Sequence, residues 1–285
     1  MERFIVKFNG GLGNQMFQYA FAKGIEEKTG FNAVFDMSFF QKRYSRPFEL
    51  GIFGISPNEI SSFADKLKIS IIWKFRRKLE GKKFLGIKFI SEDDFGYVDY
   101  DIEPETYIEG FFQSEKYFPK NIKSDFVFKD ELTGQNKEFA EMIQNSNSIS
   151  LHVRRGDYVK KKRYQNMFAT CSLGYYKRAV EIITKGQSDF KLFIFSDDKE
   201  WVKENLNLPY ETHFVDFNSG KDSYKDMQLM SLCKHNVIAN SSFSWWGAYL
   251  NNNPEKIVVA PQKWFNDEDI NQKDIIPEKW NRIDN

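Results

Sequence analysis

From residue 148 onward the chain alternates short apolar runs with segments of helical periodicity, and that alternation admits few architectures. It predicts a strand at Ser148–Arg154, a helix at Leu173–Thr184, a strand at Lys191–Phe195 and a helix from Lys199. A strand near Thr212–Val215, a helix at Tyr224–Leu232, a strand at Asn236–Ala239, a helix at Phe243–Asn251 and a strand at Lys256–Ala260 follow. Strands that take turns with helices pair in parallel and are covered on both faces. The N-terminus opens in the same way. Phe4, Val6 and Phe8 alternate with Ile5 and Lys7, the turn GGLGNQ follows, and Phe17, Ala20, Phe21 and Ile25 then repeat at helical spacing before a strand at Asn32–Asp36. That is a βαβ unit. A basic helical pattern runs from about Pro57 to Lys83, with strands at Ile87–Ile90 and Thr106–Glu109 and a helix near Phe139–Ile143. The expected fold is therefore α/β, two Rossmann-like domains facing a cleft, residues 1–145 and 146–285, divided in the polar stretch Gln144–Ser148.

Charge nearly cancels, at 41 Lys+Arg against 40 Asp+Glu, so no whole-molecule field argues for nucleic acid. With 41% hydrophobic and 28% charged residues the chain can bury a core, and its 29 phenylalanines make that core ring-rich. Cys171 and Cys233 match no disulfide framework and no metal spacing, and are read as reduced and structural. The N-terminal segment lacks an apolar core of about 7–15 residues, and no stretch approaches about 18 apolar residues. Export and membrane spanning are thus not expected, the location is cytoplasmic, and the sequon at Asn240-Ser241-Ser242 is accidental.

Four segments carry chemistry. Gly10-Gly11-Leu12-Gly13-Asn14-Gln15 ends the first strand, where glycines let a ligand approach and a helix start offers N–H groups to an anion or a sugar hydroxyl. The third glycine of a dinucleotide fingerprint would fall at Met16, which disfavours a nicotinamide or flavin site. A bare βα turn explains the glycines but has no need of the two amides. His152-Val153-Arg154-Arg155-Gly156-Asp157-Tyr158 stands at a strand's carboxyl end, where two guanidiniums suit a diphosphate. The competing reading is an ion-pair cluster with Asp157 neutralising one arginine. At the end of the next strand, Asp197 and Asp198 can read a guanine edge or a ribose, or cap the helix from Lys199; they are contiguous and lack a third metal ligand. In Asn240-Ser241-Ser242-Phe243-Ser244-Trp245-Trp246, hydroxyls at a helix start make an anion site and an aromatic ring can stack on a base or sugar, whereas a plain N-cap with core aromatics accounts for the helix alone.

Two basic runs remain. Trp73–Leu79, with Ile71 and Ile72, fits an amphipathic helix on an anionic membrane surface, although a solvated face is the better reading. Lys160–Arg163 is read as a solvated loop that raises local positive potential.

The ordered set GGLGNQMFQYAFA, HVRRGDY, FSDD and NSSFSWWGAYLN resembles glycosyltransferase family 11, the alpha-1,2-fucosyltransferases. The resemblance implies a GT-B-like chain whose C-terminal domain holds GDP-β-L-fucose and whose N-terminal domain shapes the site for a galactose-terminated glycan. It assigns Arg154 to the donor diphosphate, with Arg155 and His152 beside it, and Asp197 or Asp198 to guanine or ribose. Asn240, Ser241, Ser242, Phe243 and Ser244 fall in the segment around phosphate and base, and Gly11, Gly13, Asn14, Gln15 and Trp245 at the cleft. Fucose would pass with inversion to the 2-hydroxyl of a terminal β-galactoside, without cofactor or metal, with His152 and Asp157 the nearest candidates for a base. An acceptor of that kind leaves room for peripheral contact with the inner membrane. A fucosyltransferase of another linkage, a non-catalytic carbohydrate-binding protein and a nicotinamide oxidoreductase stay open as alternatives. Residues 38–113 carry no motif of the family.

Overall fold

The computed structural model describes residues 2–42 and 46–285, without the side chain of Asp157. The chain forms two compact units, one running to Lys129 and including Lys273–Ile275, the other Asp130–Gln272 with Ile276–Asn285.

In the first unit, β1 (Arg3–Lys7), α1 (Leu12–Thr29), β2 (Asn32–Asp36), α2 (Phe63–Leu79), β3 (Lys83–Phe84), β4 (Ile87–Ser91) and β5 (Thr106–Glu109) build a sheet of order β2-β1-β5-β4-β3. All pairs are parallel except β3 with β4. Phe4, Ile5 and Val6 are all fully buried, as a strand covered on both faces requires. Ser62 starts α2 by accepting the Asp65 N–H at 3.3 Å, Ile69 and Ile72 anchor its inner face, and Arg76, Arg77 and Lys78 suit the negative end of its dipole. Many of the rings are core: Phe21 stacks on Phe112 at 3.8 Å and Phe8 on Phe35 at 4.4 Å.

The second unit runs α3 (Gln135–Gln144), β6 (Asn147–Val153), α4 (Gly156–Lys160), α5 (Lys162–Met167), α6 (Leu173–Thr184), β7 (Phe190–Ser196), α7 (Lys199–Asn205), β8 (Glu211–Val215), α8 (Tyr224–Leu232), β9 (His235–Val237), α9 (Ser242–Leu250), β10 (Val258–Pro261) and β11 (Asn281–Ile283). Its strands lie in the order β11-β10-β9-β6-β7-β8, all parallel. Leu192 and Ile194 of β7 pack towards Tyr176, Ala179 and Val180 of α6, while Phe193 and Phe195 pack towards Ala140 and Ile143 of α3 and Leu229 of α8. This sets the division at Lys129/Asp130 rather than 145/146: α3 has its apolar partners in the second sheet and belongs with it.

The Lys160–Arg163 run is exposed, as expected, but helical, spanning the end of α4 and the start of α5. No helix among the described residues is long and apolar enough to cross a membrane.

Candidate active site

The register of β6 and β7 brings the two motifs of the second unit together. Val153 pairs with Ser196, so the residues that follow each strand meet in step. Arg154 Nη1 is 2.7 Å from Asp197 Oδ2, and Arg155 Nε is 3.4 Å from Asp198 Oδ2. Asp197 does more than pair. Its Oδ1 accepts the backbone N–H groups of Arg155 at 2.9 Å and Gly156 at 3.1 Å, and so caps α4. Asp198 sits at the N-cap position of α7 but makes no side-chain capping bond there. The acid read as a cap for the helix from Lys199 therefore serves a different helix. The ion-pair cluster exists, with Asp197 and Asp198 as its described anions; Asp157's side chain lies outside the described residues. The Arg155 guanidinium lies 3.5 Å from the centroid of the Trp201 ring, and the Arg154 guanidinium 5.2 Å from that of Tyr158. An arginine held at both its edge and its face keeps a defined orientation.

His152 sits one residue inside the strand end, buried, with Nδ1 lacking a hydrogen-bond partner among the described residues. Burial, and then the Arg154 charge, push its pKa down to about 3. Both effects make His152 a weaker base than a free imidazole, which counts against the role of proton acceptor read from the sequence. Phe243 lies beside it, ring centroids 6.2 Å apart. Tyr158 joins the two motif segments by donating its hydroxyl to the Asn240 carbonyl at 3.2 Å.

Around α9 the assigned residues divide. Ser241 occupies the N-cap position without a side-chain capping bond, and Ser242 and Phe243 are half-buried in the first turn, so the positive end of this helix is edged by hydroxyls. Asn240 is completely buried and its amide donates to the carbonyls of Ala169 and Trp264, which makes it a brace between loops. Ser244 is buried too, its hydroxyl 3.4 Å from the Ser241 carbonyl. Trp245 is corrected outright. It is 0% exposed, packed against Trp246, Tyr249 and Trp280, and so serves the core of the second unit.

The glycine turn of the first unit is also corrected. The α1 helix begins at Leu12, so Gly13, Asn14 and Gln15 are its first turn and not a loop. Gly11 is the N-cap, and the chain's own Glu49 fills the helix start by accepting the Leu12 N–H at 3.0 Å. Burial raises the Glu49 pKa, with Arg46 and that N–H opposing. Gln15 is fully buried; its amide donates to the carbonyls of Gly10 and Pro47, each at 3.0 Å, and accepts the Glu49 N–H at 2.8 Å. It is a cross-link rather than a ligand contact. Half-buried Asn14 accepts from Gln113 at 2.9 Å.

What the motifs missed lies at the strand ends of the first unit. A cavity of about 980 Å³ is lined there by Lys7, Asp36, Trp73, Arg76, Glu92 and Glu109 among others. Lys7 pairs with Glu109 at 2.9 Å and lies 4.4 Å from the Trp73 ring centroid; burial lowers the lysine's pKa. Asp36 accepts the Tyr107 hydroxyl at 2.9 Å, the second carboxylate oxygen of Glu109 is buried without a partner among the described residues, and burial raises Glu92 to about 7. Ligands enter parallel α/β sheets at strand carboxyl ends, which is the one sequence rule that points here.

Two Rossmann-like units on largely parallel sheets are the build of a GT-B-like glycosyltransferase. The chain belongs to Glycosyl transferase family 11, whose sequence profile matches residues 2–284. It is 33% identical to the alpha-1,2-colitosyltransferase of Escherichia coli across 100% of both chains. It is 31% identical to the O-antigen biosynthesis glycosyltransferase WbnK of Escherichia coli over 90% of this chain and 93% of that one. Among solved structures, the fucosyltransferase NodZ from Bradyrhizobium superposes with a TM-score of 0.51 at 17% identity, covering 88% of this chain and 92% of that chain.

Proposed function

We propose that this protein is an inverting alpha-1,2-fucosyltransferase that moves L-fucose from GDP-β-L-fucose to the 2-hydroxyl of a terminal β-galactoside. The observation that carries the reading is the pairing of Arg154 and Arg155 with Asp197 and Asp198 at the ends of β6 and β7. Breaking the glycosyl–phosphate bond builds negative charge on the departing diphosphate. Guanidiniums already oriented by carboxylates and rings stabilise that charge without reorganising, and the start of α9 at Ser241 and Ser242 adds its dipole. Phe243 is the ring available to the donor's base or sugar. No metal or cofactor is required for a leaving group stabilised in this way.

The acceptor belongs to the strand-end cavity of the first unit. Asp36 and Glu109 accept hydrogen bonds from sugar hydroxyls there, and Trp73 offers a ring for the apolar side of a pyranose. Single displacement on a β-linked donor gives an α product. The reading carries a cytoplasmic location. A second donor has specific support in the 33% identity to a colitosyltransferase, colitose being L-fucose without its 3-hydroxyl. The test offers GDP-fucose and GDP-colitose separately with a panel of galactosides and reads the linkage by NMR. A site that hydrogen-bonds the 3-hydroxyl favours fucose strongly, and an apolar pocket separates the two by only about a hundredfold. Fucose linked α-1,2 to galactose supports the proposal; no transfer from GDP-fucose, or an α-1,3 or α-1,6 product, overturns it.

A further inference from the structure

The outer face of α2 is apolar where a solvated helix is polar. Phe63 is 81% exposed, Leu67 53% and Phe75 53%, and half-buried Ile71 continues the series. These residues are four apart, so they form one stripe about 18 Å long that winds slowly round the helix. The end of β3 and the turn to β4 add Phe84 at 39% and Leu85 at 44% exposure, with Leu85 held in the left-handed region at φ 53°. A leucine kept there at a cost in backbone energy, with its side chain in water, does nothing for the core. The inner face is fully accounted for: Ile69 and Ile72 are buried, and Asp65 pairs with Arg3 at 2.8 Å.

Charge decides what covers the stripe. Residues 63–83 hold eight Lys+Arg against two Asp+Glu, in a chain whose net charge is +1. Lys66, Lys74, Arg77, Lys78, Lys82 and Lys83 are exposed beside the apolar side chains, while one of the two acids is the buried Asp65. A second copy docked face to face would set these cations against themselves. An anionic lipid surface accepts both components, with rings and leucine entering the acyl boundary and the cations meeting head groups.

We propose that the outer face of α2 and the β3–β4 turn form a docking surface for anionic bilayers. One flank of the same helix, at Lys66, Ser70, Trp73 and Arg77, lines the cavity of the first unit, so docking holds that cavity at the lipid surface. An acceptor carried on a lipid anchor would be met there.

The test sediments the full chain with vesicles of phosphatidylglycerol and phosphatidylcholine in equal parts, and with phosphatidylcholine alone. Binding to the anionic vesicles, lost at about 1 M salt where the Debye length is about 3 Å, is the expected result. Each basic residue at the surface strengthens binding by roughly fivefold. The double variant Leu67→Glu/Phe75→Glu should weaken binding at least tenfold while keeping its melting temperature and its transfer to a water-soluble galactoside. No sedimentation of the native chain with anionic vesicles, or equal sedimentation of the variant, overturns the proposal. A concentration-dependent dimer in the ultracentrifuge that this variant abolishes overturns it as well, by giving the face to a second copy. Transfer to the soluble acceptor tests the enzymatic reading separately.

Discussion

A Cβ on Gly156 would stand 2.3 Å from Oδ2 of Asp197, closer than any real contact of that kind. The glycine is what lets the carboxylate reach the start of α4 and the Arg154 guanidinium together. Gly156→Ala must push Asp197 away, and Arg154 with it. Displacing a positioned group by an ångström costs about a hundredfold in rate. We expect a folded variant with kcat reduced to about that extent, checked by kinetics beside circular dichroism.

Arg154→Ala should lower kcat by roughly a hundredfold to a thousandfold, the cost of losing one preorganised donor to a developing anion. Arg154→Lys should recover little, because a point charge reproduces neither the contact to Asp197 nor a bidentate grip on phosphate. Near-native rates for a folded alanine variant would remove Arg154 from the reaction.

Gln15→Ala should act on stability. It removes the bonds to the carbonyls of Gly10 and Pro47 and from the N–H of Glu49, each with a net contribution of about 0.5–1.5 kcal/mol. Chemical denaturation should show a loss of that order. A variant of native stability with a raised acceptor KM would return Gln15 to the binding site.

On the proposed reading transfer should persist in excess EDTA, since two arginines and a helix start would receive the leaving group's charge. Abolition by EDTA and rescue by Mg²⁺ or Mn²⁺ would make Asp197 and Asp198 metal ligands.

Asp226, at the start of α8, is pushed up by burial from 3.8 to about 7, with the Asn218 amide at 2.7 Å opposing. The folded chain therefore holds this proton more tightly than the unfolded chain. The resulting stabilisation is complete below about pH 4 and is lost as pH rises to about 7, by up to about 4 kcal/mol. Asp226→Asn should flatten that part of the stability–pH curve; an unchanged curve would show that Asp226 does not titrate there.

The sequence by itself determined the parallel strands of both sheets, because a strand buried on both faces must be apolar along its length and a parallel crossover must be long enough for a helix. Leu173–Thr184 and Tyr224–Leu232 were legible to the residue for that reason. It also determined the arginine pair and the acid pair, since both stand at strand ends where ligands bind. Only the tertiary structure decided what those residues do. Asp197 meets Arg154 because β6 and β7 are in register, across 43 positions of chain. Glu49 fills the start of α1 from 37 residues away, Gln15 turns inward to meet it, and Trp245 disappears under Trp280. Local periodicity says which residues share a face. Whether that face meets water, a ligand or another part of the chain is set by contacts between segments far apart in sequence.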